Sequence, residues 1–278
     1  MTKAKKILFV TQEMVPFVPE TGMAQMGRHL PQAVQERCIE IRSFMPKWGI
    51  INERRNQLHE VIRLSGINII VDDTDHPLVI KVASIQAAKM QIYFIDNEDF
   101  FEKRKISADD AGREYEDNAE RAVFYARGVL ETIKKLKWVP DIIHSLGWMG
   151  SFIPLYVKTA YAEEPSFRDC RVIYTPSPQV PLTPIPANME GIIAYRNANV
   201  SATRGLGEKK LGPMLNKLGI KYADGVSFLE ENEELAKYAE GLGKICINPV
   251  GIEDYGVRYP TFYDNVWSID RVEEEENP

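Results

Sequence analysis

The chain has 278 residues, of which 44% are hydrophobic and 27% charged, a composition typical of a water-soluble protein with one large α/β domain or two small ones. A formal net charge of −6 without a basic stripe argues against nucleic-acid binding. The three cysteines are too widely spaced for a disulfide framework or a C-x-x-C metal pair, and we find neither a signal peptide nor an apolar run of bilayer length. These features predict a cytoplasmic protein that contacts no membrane.

The first residues have the pattern of a strand, a loop and a helix. Residues 7–10 form an apolar run long enough for a buried parallel strand, and polar and proline residues then end it. Thr21 and Gly22 precede the helical pattern of residues 23–36. This order opens a doubly wound α/β domain, in which ligands bind outside the carboxyl ends of the strands. We therefore expect any functional site at that edge.

The next segment is rich in strands. Residues 39–45 alternate between apolar and polar side chains, as in a strand with one covered face, and Pro46 ends the pattern. Further strands, without helices between them, are predicted at residues 61–64, 67–71, 78–82 and 90–95, with a turn at residues 72–75. These predictions indicate a β-rich insertion on the parallel sheet.

Strands and helices alternate in the second half. Apolar residues at helical spacing from Ala119 to Leu136 predict the longest helix. Five prolines exclude a regular element between residues 176 and 186. The pattern predicts an α/β fold with a Rossmann-like, doubly wound, mostly parallel sheet. The strands are expected at residues 141–144, 171–175, 223–228 and 244–247, and the helices between them at residues 148–160 and 230–239.

Five stretches of the chain match motifs of one known family. They are Glu13-Met-Val-Pro-Phe-Val18, the pair Leu30-Pro31 and Met45-Pro46, Asp117-Asn-Ala-Glu-Arg121, Trp138-Val-Pro-Asp-Ile-Ile-His144 and Leu218-Gly-Ile-Lys-Tyr-Ala-Asp-Gly-Val-Ser227. Together they resemble bacterial glycogen synthases and plant starch synthases, which transfer glucose from ADP-glucose to an α-1,4-glucan. The resemblance runs along the N-terminal Rossmann-type domain of that two-domain GT-B fold. It implies a single domain at residues 1–257, followed by an aromatic and then acidic extension at residues 258–278.

The first loop departs from the family pattern K-T-G-G-L-A-D. Thr21 and Gly22 are kept, but Glu20 replaces the lysine and one glycine is missing. A carboxylate close to a phosphate is repelled by about 4 kcal/mol at an effective dielectric constant near 20. This loop is therefore poorly suited to hold ADP-glucose.

Two further motifs are changed in the same way. In the stretch that resembles H-x-H-D-W, His144 and Trp148 are kept, whereas Leu146 and Gly147 replace the second histidine and the aspartate. Leucine offers no hydrogen bond to a sugar. In the stretch that resembles Y-T-I-H-N, Ser177 stands where the histidine belongs.

From these comparisons we identify no catalytic residue, no cofactor and no metal site. The positions that have lost the polar group of their motif are Glu20, Leu146, Gly147 and Ser177. The residues expected to contact a ligand are Thr21, Gly22, His144, Trp148 and Thr175.

Several of these residues have two interpretations. His144 is either a base at a strand end or a buried, hydrogen-bonded histidine. Trp148, with Trp48 and Tyr174, forms either a platform for sugar stacking or part of the core. Glu13 either faces the crevice or caps a loop or helix.

Two hypotheses about function follow. The first is a non-catalytic family member, a stand-alone domain that binds an unidentified partner protein or a glucan, with residues 176–186 and 259–267 as contact surfaces. The second is half of a glycosyltransferase, completed by another chain that supplies the nucleotide-binding domain, since few residues follow Glu253. The residues at positions 20, 146 and 147 favour the first hypothesis, because an active acceptor half should keep its polar groups.

Overall fold

The computed structural model describes residues 4–271, and the acidic part of the predicted C-terminal extension, residues 273–276, lies outside them. The strands are β1 (Lys6–Thr11), β2 (Glu40–Pro46), β3 (His59–Glu60), β4 (Ile67–Val71), β5 (Thr74–Ile85), β6 (Met90–Asp96), β7 (Ile142–Leu146), β8 (Arg171–Thr175), β9 (Gly225–Ser227) and β10 (Ile245–Ile247). The α-helices are α1 (Gly22–Gln35), α2 (Asn118–Leu136), α3 (Phe152–Lys158), α4 (Met189–Ile193), α5 (Leu211–Tyr222), α6 (Glu233–Gly241) and α7 (Tyr255–Trp267).

The strands form one mixed, mostly parallel sheet. Its parallel part has the order β10-β9-β8-β7-β1-β2-β6. Strand β5 then pairs antiparallel with β6, and β3 and β4 pair antiparallel with β5. The predicted fold class, a Rossmann-like parallel sheet with a β-rich addition, is confirmed.

Helices cover both faces of the sheet. On one face, α2, α3 and α5 enclose the largest apolar cluster, and the predicted apolar face of α2 is buried there. On the other face, α1 and α7 pack against each other and over β1 and β7. A smaller cluster joins β8 and β9 to α5 and α6. No helix within residues 4–271 has both the length and the apolar character needed to cross a bilayer.

Local hydrogen bonds explain where the predicted elements differ from the observed ones. The strand predicted at residues 61–64 is absent, because the amides of Leu64 and Ser65 donate to the Val61 carbonyl and close a turn. The helix predicted from residue 230 begins at Glu233, because the Asn232 side chain accepts from the Leu235 amide and caps it. Residues 148–160 form a short 3-10 turn, Trp148–Gly150, and then α3.

The aromatic segment that we assigned to the C-terminal extension is a packed helix. The boundary expected at residue 257 falls inside α7. The Tyr259 hydroxyl is 2.7 Å from the Ser227 hydroxyl of β9, and the Tyr263 hydroxyl is 2.8 Å from Nδ1 of His144 in β7. Gly225 of β9 leaves room for the helix, since a Cβ there would lie 2.7 Å from Cγ2 of Val266. Helix α7 is therefore part of the layer that covers the sheet.

Replacing Tyr263 by phenylalanine tests this attachment. The change leaves Nδ1 of a buried histidine without its partner, and such a loss costs about 1–3 kcal/mol of unfolding free energy. The control is Tyr255→Phe, because Tyr255 is also buried in α7 and its hydroxyl forms no hydrogen bond with residues 4–271. We expect urea unfolding to show a loss for Tyr263→Phe and a change below about 0.5 kcal/mol for the control. Equal losses would contradict the role of the histidine contact.

Candidate functional site

The candidate site lies where the strand order reverses. Strand β1 pairs with β2 on one side and with β7 on the other, so the chain leaves β1 in one direction and later returns on its other side. In sheets of this kind the crevice for ligands forms outside the carboxyl ends of the two strands at the reversal. The residues that follow β1 and β7 are Gln12, Glu13 and Gly147.

The Gln12 side chain fills this crevice. Gln12 is 1% exposed, and its Nε2 donates to Oε1 of Glu13 at 2.7 Å and to Oγ of Ser177 at 3.4 Å. The Nε1 of Trp48 donates to the Gln12 carbonyl at 2.7 Å and fixes its backbone. The Gln12 side-chain amide thus occupies the crevice outside the carboxyl ends of β1 and β7.

Glu13 places a carboxylate near the start of α1. Its Oε2 accepts a hydrogen bond of 2.6 Å from the Thr21 hydroxyl, which in turn accepts from the Ala24 amide at 2.9 Å as the N-cap of the helix. A helix N-terminus attracts anions because its amides carry partial positive charge. Here the protein supplies the anion itself. We call Gln12, Glu13, Thr21 and Ser177 the edge network.

Gly147 is required for the edge network to form. Its φ of 87° and ψ of 169° lie in a region of backbone conformation that residues other than glycine essentially do not adopt. A Cβ at this position would also overlap the Gln12 side-chain amide. The amide of Gly147 donates to the Thr175 carbonyl at 2.9 Å and ties the β7 loop to β8.

His144 is fully buried and both of its ring nitrogens are occupied. Nδ1 is 2.8 Å from the Tyr263 hydroxyl, and Nε2 is 2.8 Å from the Thr175 hydroxyl. Desolvation disfavours the charged imidazolium and lowers the pKa of His144 to about 3. The structure matches the interpretation of a buried, hydrogen-bonded histidine.

The three aromatic residues considered as a sugar platform lie in the core. Trp148 is 1% exposed, and Trp48 and Tyr174 are fully buried. Trp148 packs against α2, and the Tyr174 hydroxyl donates to Oδ1 of Asn216 at 2.9 Å. The structure therefore matches the core-packing interpretation. Leu146 is buried in the cluster beneath α1 and α7.

The remaining predicted residues are exposed. Glu20 accepts a hydrogen bond from the Gln25 amide group on the surface, and Gly22 opens α1 beside Leu229. Of the nine predicted positions, Gly147 and Ser177 contact Gln12, and Thr21 is linked to it through Glu13, whereas His144 and Thr175 form a buried pair. Ligand contact by any of them remains a prediction. Gln12 was missed, although its place directly after the first strand could have drawn attention to it.

A large open cleft lies further along the same edge. It has a volume of about 1030 Å³ and lies beyond the carboxyl ends of β2 and β6, beside the start of α2. We call it the edge cleft. Six carboxylates and four cations line it, which gives a formal charge of −2. Its lining includes most of the charged segment at residues 109–116.

Three of the four cations in the edge cleft are neutralised by ion pairs. Arg104 contacts Asp117 at 2.6 Å, Arg113 contacts Asp109 at 2.8 Å, and Lys105 contacts Asp110. The half-buried Tyr115 ring is close to two guanidinium groups, with its centre 5.2 Å from that of Arg104 and 4.9 Å from that of Arg121.

Arg121 holds the wall of the edge cleft from below. It is fully buried and donates to the carbonyls of Phe100, Lys105 and Ile106 at 2.7–3.0 Å. Desolvation lowers the pKa of Arg121 to about 10, so it stays charged at neutral pH. The motif from Asp117 to Arg121 thus builds this wall. Within residues 4–271, no group of three or more His, Cys, Asp or Glu side chains is arranged to hold a metal ion.

Comparison with known proteins identifies similar chains. The sequence model of the starch synthase catalytic domain matches residues 6–176. Glycogen synthases from Chlorobium phaeobacteroides and Chlorobaculum tepidum are each 39% identical over 171 residues, which is 61% of this chain and 35% of the relative. The chain thus spans about a third of the length of the curated relatives that it matches.

A solved structure shows the same architecture. The catalytic domain of starch synthase IV from Arabidopsis thaliana, bound to ADP and acarbose, superposes with a TM-score of 0.70 at 16% identity. The superposition covers 91% of this chain and 53% of the other. At this identity the likeness concerns the fold, which is that of a GT-B glycosyltransferase domain.

The buried histidine predicts a pH dependence of stability. The pKa of His144 is lowered from 6.5 to about 3 on folding, so between these pH values the unfolded chain binds the additional proton. The contribution is fully present above about pH 6.5 and is lost as the pH falls, with a slope of up to about 1.4 kcal/mol per pH unit. Urea unfolding between pH 7.5 and pH 5 should show this slope, and His144→Asn should reduce it.

If the asparagine variant does not fold, the NMR signals of the wild-type imidazole provide the test. They should not change down to pH 5. A ring that titrates near pH 6 in the folded protein would contradict this assignment.

Replacing Gly147 by alanine should destabilise the protein more than replacing Gly112. Both glycines have positive φ, but only at Gly147 does a Cβ overlap another group, because a Cβ on Gly112 has no atom within 4 Å. We expect thermal or urea unfolding to give a loss that is larger by about 1–3 kcal/mol for Gly147→Ala. Equal effects would mean that the Gln12 side chain moves away without cost.

Proposed function

This chain belongs to the starch synthase catalytic domain family, and on that premise we propose that it is a catalytically degenerate member. It acts as a binding module for a glucan or a partner protein and does not transfer glucose.

The observation that carries this proposal is the closed point of strand reversal. Gln12 is 1% exposed there, and its Nε2 donates to Glu13 at 2.7 Å and to Ser177 at 3.4 Å. Gly147, where the resembled motif has aspartate, leaves the space that the Gln12 side chain occupies, and Ser177, where it has histidine, is one of its partners. The crevice in which such a sheet binds its ligand is thus filled by a side chain of the protein.

The edge cleft has space for a ligand, whereas the crevice at the strand reversal is filled by the Gln12 side chain. Its formal charge of −2 disfavours an anionic nucleotide sugar and leaves a neutral sugar polymer unaffected. The paired carboxylates and guanidinium groups offer acceptors and donors to sugar hydroxyls, and Tyr115 offers a ring edge. These features favour a glucan as the ligand.

A partner protein is the other ligand class, and it would contact the same side of the molecule. The Glu114 carboxylate of the edge cleft accepts from the amides of Leu182 and Thr183 at 2.7–2.8 Å. This contact joins the proline-rich segment to the cleft. Leu182 is 56% exposed there.

The test has a transfer arm and a binding arm. In the transfer arm, labelled ADP-glucose and glycogen are incubated with the full chain, with and without lysate of the native host, beside an active glycogen synthase as positive control. We expect no incorporation that depends on this chain. Incorporation that Thr21→Ala abolishes would overturn the proposal and favour a half enzyme completed by another chain.

In the binding arm, maltoheptaose is titrated calorimetrically and glycogen is tested by affinity electrophoresis. Tyr115→Ala should weaken glucan binding at least about fivefold, because truncating an aromatic contact residue commonly costs more than 1 kcal/mol. The matched control is Tyr222→Ala, a half-buried tyrosine at the end of α5 that does not line the cleft.

The protein alternative is tested with Leu182→Glu. A stoichiometric host protein retained by the wild type and lost in this variant, with no glucan bound, would assign a protein ligand. Binding of neither ligand class would overturn the binding-module proposal.

A further inference from the structure

A second depression lies at the opposite, amino edge of the sheet. It has a volume of about 500 Å³ and is lined by Arg42 of β2, Tyr93 of β6, Lys135 of α2, and Arg63 between β3 and β4. We call it the amino-edge pocket. Arg42 lies four residues before the end of β2, so at about 3.3 Å per residue the pocket begins roughly 13 Å from the carboxyl edge, and it shares no lining residue with the edge cleft. It is therefore distinct from the edge cleft and the edge network.

The charge of this pocket has one sign. Three cations line it and no carboxylate does. Among residues 4–271, none of the three forms an ion pair, in contrast to Arg104, Lys105 and Arg113 of the edge cleft. In a protein with net charge −6 this is a local concentration of positive charge.

Neutral groups hold two of these cations in place. Nη1 of Arg42 donates to the Tyr93 hydroxyl at 2.7 Å, and the guanidinium lies 5.3 Å from the centre of the Trp138 ring. Nζ of Lys135 donates to the carbonyls of Leu64 and Ser65 at 3.3 and 3.2 Å. An arginine has five N–H donors and a lysine three. Both groups thus keep their full charge and retain donors for a ligand.

The end of α2 weakens this field only partly. The carbonyls at a helix C-terminus act as about half a negative charge, and Lys135 lies in that last turn. Three full positive charges outweigh this partial charge, so the pocket remains attractive to anions.

We propose that the amino-edge pocket binds a phosphoryl dianion, either free phosphate or the phosphate group of a small molecule. Arginine binds phosphate oxygens through parallel N–H donors, and lysine adds a third positive charge. The exposed Gln91 amide at the rim can bond a further polar group. This ligand differs in charge from the one proposed for the edge cleft, so either proposal can fail alone.

The test measures binding of inorganic phosphate and of glycerol 3-phosphate by calorimetry and ³¹P NMR, with ionic strength held constant by chloride. Arg63→Gln and Lys135→Gln should each weaken binding at least about tenfold. Both side chains are exposed, so both variants are expected to fold. The control is Lys137→Gln, which removes the same charge just beyond α2 from a side chain that does not line the pocket.

Tighter binding of glycerol 3-phosphate than of inorganic phosphate would indicate a small organic phosphate as the ligand, and equal binding would indicate free phosphate. No saturable binding of either probe would overturn the proposal. Weakening by Lys137→Gln as large as by the pocket variants would also overturn it, because it would indicate general charge attraction.

Discussion

The hydrogen bond between the Glu13 carboxylate and the Thr21 hydroxyl determines the character of the carboxyl edge. It joins the end of the first strand to the start of the first helix. Because Gln12 bonds to the same carboxylate, the bond also fixes the side chain that fills the point of strand reversal. The fold normally leaves this place open for a ligand. Here a chain of internal contacts closes it, and the edge cleft opens further along, beyond β2 and β6.

Residues that resemble a reactive motif are used here to hold the architecture together. His144 bonds to Thr175 and to Tyr263 of helix α7, and Trp148 fills the core beneath α2. Gly147, where the resembled motif has aspartate, provides the backbone shape and the space that Gln12 requires. A histidine and a tryptophan kept at motif positions therefore do not indicate retained chemistry. The role of each residue depends on the groups that it contacts in the folded protein.

The sequence predicted the parallel sheet, the β-rich addition and helix α2, because these elements have long periodic patterns. It did not predict α5, which contains Gly212, Pro213 and Gly219 and depends on tertiary contacts such as that of Gly219 with the Tyr174 ring. The edge network also could not be predicted from the sequence, because Gln12 and Ser177 are separated by 165 residues and no local pattern links them. Likewise, no local pattern in the charged residues 109–116 indicates that they line a cleft. Only the folded chain shows that they enclose a cleft.

The contact between His144 and Tyr263 spans 119 positions along the chain, and this separation affects how the protein matures during synthesis. When the ribosome has made β7 and β8, the cover for one side of their strands has not yet been translated. The nascent sheet must keep an apolar surface and a half-satisfied imidazole exposed until α7 emerges. Exposed surfaces of this kind favour association with chaperones or with neighbouring nascent chains. Helix α7 can therefore complete the cover of β1 and β7 only after both strands have been synthesised.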